Sequence, residues 1–332
     1  ISRTSTRARN VVGLVKGRNR QRRADTVIIG AHYDHVGRGE QGSMAGPAGR
    51  NQIHNGADDN ASGVSAVLEL AQAFRQSRLK PKRSLLFILF TGEEWNNVGS
   101  RYYVEHPVVP LEQTVAMLNL DMVGRGETGV FMVYGVGTSP AFPELLKRIE
   151  AQIEKRGRRE LTVHYGPADP GMGDNTPFYR RGVPALLFHT GGHDQYHRPE
   201  DDWQLINASN LELITRMAFS LAVELAINTK ARPAFAASEQ RPQQPPLLGI
   251  EADQQRGDGS GVRVAYVAQG SAAELAELRV GDLLIEVDGR RTPCMQVLVD
   301  YLTQAKAGAE VELKIERGRR VLWVSVTLGS QR

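Results

Sequence analysis

Carboxylates and imidazoles, the side chains that hold divalent metals and move protons, recur in this sequence just past its apolar runs. "TVIIGA" is followed by His32-Tyr33-Asp34, "LLFILFTG" by Glu93-Glu94, "AMLNL" by Asp121, and "ALLFHTGG" by His193 to His197, while the polar turn "HNGA" leads into Asp58-Asp59-Asn60. Adjacent glutamates at the end of a buried-looking strand repel each other and resist desolvation, so each needs a partner. Few lysines or arginines lie in these loops to serve. Divalent cations would, and a set of oxygens with imidazoles suits zinc or its neighbours. A two-metal site with one bridging carboxylate accounts best for the excess of ligands.

A mostly parallel sheet would gather such residues, because the loops at the carboxyl ends of its strands share one crevice. From about residue 10 to 230 apolar runs alternate with amphipathic stretches. "VVGLV", "TVIIGAHY", "SLLFILFTG", "TVAMLNLDMVG", "VFMVYGV" and "VPALLFHTG" read as strands, and 63–76, 141–157 and 210–228 read as helices. Near-continuous apolar strands interleaved with helices predict a sheet covered on both faces, in a mixed α/β domain. Asn60 or Ser62 is placed to cap the helix at 63. The basic stretch "KGRNRQRR" lies between the first two apolar runs and reads as a solvated hairpin tip. The net charge of +4 therefore gives no argument for nucleic acid.

After residue 228 the pattern changes. Residues 229–246 are rich in proline, alanine and glutamine without a period, and read as a linker. Residues 247–332 carry short alternating strands around a helix near 295–306, a small β-rich domain. The expected organisation is therefore a first domain over 1–228, the linker, and a second domain over 247–332. No apolar run approaches the roughly 20 residues of a membrane span. The chain opens at Ile1 without a signal-like stretch, as a processed or trimmed product would, and its single cysteine, Cys294, excludes an internal disulfide.

"GAHYDHVG", "NGADDNASG", "TGEEWNNVGS", "LNLDMVGR" and "YHRPEDD" together resemble, in order and context, the co-catalytic zinc aminopeptidases. That family also holds glutamate carboxypeptidase-type enzymes and glutaminyl cyclases, and the resemblance covers about residues 10–228. It implies a zinc exopeptidase fold and two zinc ions per chain. His32 and Asp121 would hold one ion, Glu94 and His197 the other, with Asp58 bridging and Asp59 structural. It makes Glu93 the general base that activates water against a peptide carbonyl, and Asp34 the residue that orients His32. It further implies a cis peptide between Asp58 and Asp59, and favours a periplasmic or secreted location. Asp174 in "GMGDNTPFYRRGVPA" stands where relatives place an acid near the pocket, for a supporting or substrate-positioning role. No tyrosine precedes it in "DPGMG", so an oxyanion partner stays unassigned. His35, His54, His106, His164, His189 and His193 match no ligand position.

"PLLGIE" and "GVRVAYVAQGSAAELAELRVGDLLIEVDGRR" resemble a PDZ domain of the bacterial protease-associated kind. The resemblance implies a loop before Gly249 that receives a peptide's terminal carboxylate, and a strand from Ile250 that pairs with the peptide edge to edge. Leu248, Ile250 and Val297 or Leu298 would line the groove, and Leu247 replaces the usual first glycine.

The leading expectation is an exopeptidase that removes N-terminal residues from peptides. A carboxypeptidase on this scaffold would add arginines, for which Arg125, Arg180, Arg181 and Arg198 are candidates, and a cyclase would use one metal. A PDZ-type scaffold without catalysis would have lost its metal ligands, which are present.

Overall fold

The structure, a computed structural model, describes residues 7–40, 42–157, 160–166, 173–228, 232–236, 248–252, 261–267, 271–292, 295–305, 308–318 and 320–329. Cys294, Leu247, residues 169–172 of "DPGMG" and most of the expected linker lie outside them. The chain divides into two compact units: 1–35, 57–190 and 202–239 form the first, and 36–56, 191–201 and 240–332 the second.

The first unit is built on β1 (Val11–Val15), β2 (Thr26–His32), β3 (Ser84–Phe90), β4 (Thr114–Leu120), β5 (Val130–Tyr134), β6 (Thr162–Tyr165) and β7 (Ala185–His189). Its helices are α1 (Gly63–Gln76), α2 (Val98–Glu105), α3 (Phe142–Gly157), α4 (Asn175–Arg180) and α5 (Ala208–Ala226). The sheet runs β1-β3-β2-β4-β7-β5-β6. The four central strands are mutually parallel, and β1 and β5 pair antiparallel with β3 and β7.

Alternation of side chains along a strand explains the two apolar layers. Val27, Ile29 and Ala31 of β2 point into the larger core with Val67, Leu70 and Phe74 of α1 and Leu221 and Leu225 of α5. Ile28 between them joins Phe90, Tyr103 of α2 and Phe178 of α4 on the other face. Every residue of β2 and β4 is buried, as a strand covered on both faces requires.

Two expectations change, and one strand was not foreseen. β1 and β2 do not form a hairpin: β3 lies between them, and Gly17 and Arg18 of the basic stretch bond to Ser84 and Pro81. The wholly buried β2 needs neighbours on both edges, whereas β1, mostly exposed, suits the rim of the sheet. β6, short and half-exposed, has too weak an alternation to be read beforehand. The cis peptide lies at Asp59–Asn60, one bond later than the resemblance implied.

The second unit holds β8 (Ile250–Ala252), β9 (Val262–Val267), α6 (Ala272–Leu275), β10 (Leu283–Val287), β11 (Arg290–Arg291), α7 (Met295–Gln304), β12 (Glu310–Arg317) and β13 (Arg320–Thr327). Its strands pair antiparallel in the order β13-β12-β10-β9-β8, with β11 on β10. Leu284, Leu298, Leu313, Ile315 and Val326 fill its core. Asp282 is buried there and takes both arms of Arg317 at 2.7 Å, with the Arg279 amide at 2.8 Å. This bidentate pair holds Asp282 below the ordinary carboxylate range in spite of burial.

Candidate metal centre

β2, β3 and β4 end side by side, and the site in the first unit is built on their carboxyl ends. His32 is the last residue of β2, Glu93 and Glu94 follow β3 after the turn at Gly92, and Asp121 follows β4. Asp59 comes from the segment before α1. Asn60 ties that segment to β4: its Nδ2 donates to the Leu120 carbonyl at 3.0 Å, and its Oδ1 accepts from Gly63 N at 2.9 Å. Asn60 thus caps α1, whereas Ser62 makes no capping bond. Only glycine fits at 63, because a Cβ there would stand 2.2 Å from the Leu120 oxygen.

Two groups of ligand atoms result. His32, Asp59 and Asp121 each bring one within 4.8 Å of the others, and so do His35, Asp59 and Glu94. Asp59 belongs to both. This corrects the sequence expectation, which gave the bridging position to Asp58. Neighbouring residues direct their side chains apart, and Asp58 turns its Oδ1 to Gly124 N at 2.6 Å, fixing the loop after β4. Two consecutive aspartates offered no residue-type signal to tell them apart; their order relative to Asn60 was the available clue.

Donor atoms about 2.0–2.1 Å from a tetrahedral zinc stand roughly 3.3 Å from one another. His32 Nε2 lies 3.1 Å from Asp59 Oδ1 and 3.2 Å from Asp121 Oδ1, which fits. Its Nδ1 lies 3.0 Å from the Asp34 carbonyl, a bond that puts the proton on Nδ1 of the neutral ring and the lone pair on Nε2. Asp34 therefore orients His32 through its backbone. Its carboxylate Oδ1 is 3.9 Å from the ring and accepts from Glu93 N at 3.2 Å.

Burial and neighbouring charges act together on these residues. Burial works against charge on His32, yet Asp121, Asp59 and Glu93 together raise it well above the usual histidine range. Burial is the chief cause that pushes Glu93 well up, with Asp121, Asp174 and Glu94 adding to it against His32. Asp34 is raised by burial too. Asp174, wholly buried just before α4, is pushed up to about 7, first by burial and then by Asp121 and Asp34. A buried acidic group of this density, with imidazole nitrogen among the donors, has the composition of a zinc site.

Two residues enter that sequence reasoning passed over. Asn97, in the left-handed region at φ 57°, donates through Nδ2 to Glu93 Oε1 at 3.3 Å. His35 lies 2.8 Å through Nδ1 from Glu94 Oε1. Asn97 follows another left-handed asparagine, Asn96, and the "NN" pair was a legible turn signal. Of the arginine candidates, Arg125 is buried and donates to the Leu205 carbonyl at 3.0 Å, and Arg181 faces Glu105 at 3.9 Å.

His197 is buried in the second unit, where its Nδ1 lies 2.8 Å from the Gly42 carbonyl and Tyr196 stacks on its ring at 3.9 Å. Its tautomer is thereby set as that of His32, with the lone pair on Nε2. His54 in the same unit is engaged at both nitrogens, by Gln52 O and Ser43 Oγ. Leu248 is 2% exposed and belongs to the core of that unit; Leu298 is equally buried, and Ile250 is half-buried. Gly249 stands at φ 81° with Ser271 so close that a Cβ would meet it at 2.2 Å.

Residues 10–222 match the model of peptidase family M28, and residues 246–328 match the PDZ domain. The first match spans more than half of the chain, which therefore belongs to peptidase family M28 and carries a C-terminal PDZ domain. Aminopeptidase YwaD of Bacillus subtilis is 27% identical over 237 residues, 69% of this chain and 47% of that protein. Leupeptin-inactivating enzyme 1 of Streptomyces exfoliatus is 32% identical over 137 residues, 39% of this chain and 28% of that protein. The solved structure of BSAP, a zinc aminopeptidase from Bacillus subtilis, is similar with a TM-score of 0.53 and 27% identity, covering 68% of this chain and 52% of that one. The aminopeptidase from Aneurinibacillus sp. strain AM-1 gives 0.51 and 28%, over 68% and 48%. The chain spans about half the length, or less, of these relatives.

Proposed function

We propose that this chain carries the centre of a two-zinc aminopeptidase. The observation that carries the reading is Asp59, a single carboxylate common to both groups of ligand atoms. The resemblance of the motifs to zinc aminopeptidases assigns His32 and Asp121 to one ion, and Glu94 and His197 to the other. The relatives named as zinc aminopeptidases support both the metal and the reaction. Bound there, zinc would polarise the scissile carbonyl and make a water acidic enough to lose a proton near neutral pH.

The chain's own residues do the rest. Asp34 and Gly42, through their carbonyls, hold the two imidazoles in the tautomer that binds metal. Glu93, raised by burial and by its acidic neighbours, accepts the proton of the attacking water and returns it to the departing amine. Asn97 and the Asp34 carboxylate fix that glutamate from its side chain and its backbone. Asp174 would support the set as a buried carboxyl, pushed up to about 7 first by burial.

Metal analysis paired with free and N-blocked aminoacyl anilides tests this. Two zinc ions per chain and cleavage of the free amines alone are expected, and equal cleavage of blocked substrates would overturn the aminopeptidase reading.

For the PDZ unit we infer docking of peptide C-termini along β8. Support comes from the position of β8 at the end of the strand order and from the tight turn at Gly249. Ile250→Arg should abolish binding of a labelled peptide with a free C-terminus. Equal binding by variant and parent would remove the idea.

A further inference from the structure

His35 lies one residue past the His32–Asp34 motif, and no role in the reaction described above falls to it. Its side chain is 11% exposed, and Nδ1 faces two carboxylates, Glu94 Oε1 at 2.8 Å and Asp59 Oδ2 at 3.7 Å. Both carboxylates belong to the set proposed for the second ion.

Two roles are open to an imidazole in such a place, and distance separates them. As a ligand of the same ion, its nitrogen would stand roughly 3.3 Å from the glutamate oxygen, as His32 Nε2 nearly does from its own two partners. As a hydrogen-bond donor to an ionised carboxylate, it would stand about 2.7–2.9 Å away. The 2.8 Å observed is the hydrogen-bond distance. Zinc-binding carboxylates are themselves commonly held by hydrogen bonds, and losing such a partner typically costs about 10–100-fold in metal affinity.

We propose that His35 is a positioning residue of the second metal set, donating Nδ1–H to Glu94 Oε1 and so fixing which oxygen of that carboxylate faces the ion. The inference rests on the two-zinc reading. The N–H occupies Oε1, leaves Oε2 for the metal, and reduces the repulsion between Glu94 and Asp59 while the ion binds. A phenylalanine here would keep the shape without the donor.

The test is calorimetric titration of the metal-free full chain with zinc, beside the visible absorption of its cobalt form. Parent, His35→Ala and His35→Asn are compared. Two binding steps are expected in the parent. His35→Ala should weaken one step about 10–100-fold and leave the other unchanged. His35→Asn should restore most of the loss, because its amide nitrogen can stand where Nδ1 stands, and all three cobalt spectra should keep the same band positions. An unchanged titration in His35→Ala would overturn the proposal. So would a His35→Asn variant as weak as His35→Ala with a shifted cobalt spectrum, the mark of a lost ligand. Fewer than two ions in the parent would overturn the two-zinc reading itself, a result visible before any variant is made.

Discussion

Two buried acidic places in this molecule are built in opposite ways. In the PDZ unit Asp282 is answered from within the fold: Arg317 grips both oxygens at 2.7 Å and the Arg279 amide adds a third bond. At the ends of β2, β3 and β4, the strongest influences on Glu93 are burial, one imidazole and other carboxylates, and on Asp174 burial, the same imidazole, a hydrogen bond from Ser100 and then other carboxylates. The carboxyl groups respond accordingly, Asp282 shifted down and Glu93 and Asp174 up. Asp282 has its counter-charge within the fold, whereas the proposed function gives the acids at the strand ends a cation to complete them.

The largest expected effect falls on the open cluster. Glu93→Gln should lower kcat by about 10²–10⁴, the usual worth of a general base, while zinc content stays at the parent value. A variant that lost zinc as well would make Glu93 part of the metal set and blur the division of labour between the paired glutamates.

The closed pair should fail by unfolding instead. Arg317→Met leaves Asp282 buried against the amide of Arg279 alone and should cost about 1.5–3 kcal/mol, with no change in zinc content. Chemical denaturation followed at Trp323, on β13 of the same sheet, reports it. Its pH dependence has a definite sign. Asp282 is depressed in the folded state, so the stabilisation is present above the ordinary carboxylate range near pH 4 and fades as pH falls through the lowered value. The difference between parent and Arg317→Met should therefore shrink on acidification; a constant difference would mean that the pair acts by packing.

Smallest is Asn97→Ala. Removing one amide from Glu93 is worth roughly 0.5–1.5 kcal/mol, a loss of about two- to tenfold in kcat with KM unchanged. No loss would leave Asp34 as sufficient support for that segment.

Much of this was legible beforehand. The buried runs that became β2, β3 and β4 and the helical spacing of α1 were read from the sequence, and the ends of those strands bring His32, Glu94 and Asp121 to Asp59. What escaped was decided by direction rather than by residue type. Asp58 and Asp59 are chemically identical, and only the turn of the backbone before α1 sends one to Gly124 and the other to His32. His35 is brought to Glu94 across 59 positions of sequence by the β2–β3 pairing, a contact that no local motif encodes. Leu248, expected along a groove, is also part of the core of a small domain, a share of burial that no local pattern announces.

The most direct measurement is the zinc bound per chain in Asp58→Asn and Asp59→Asn, by elemental analysis of the folded proteins. Asp58→Asn should keep two ions, since an amide oxygen can still accept from Gly124, and Asp59→Asn should lose affinity at both sites together. Two ions retained in Asp59→Asn, or loss confined to Asp58→Asn, would contradict a centre organised around Asp59.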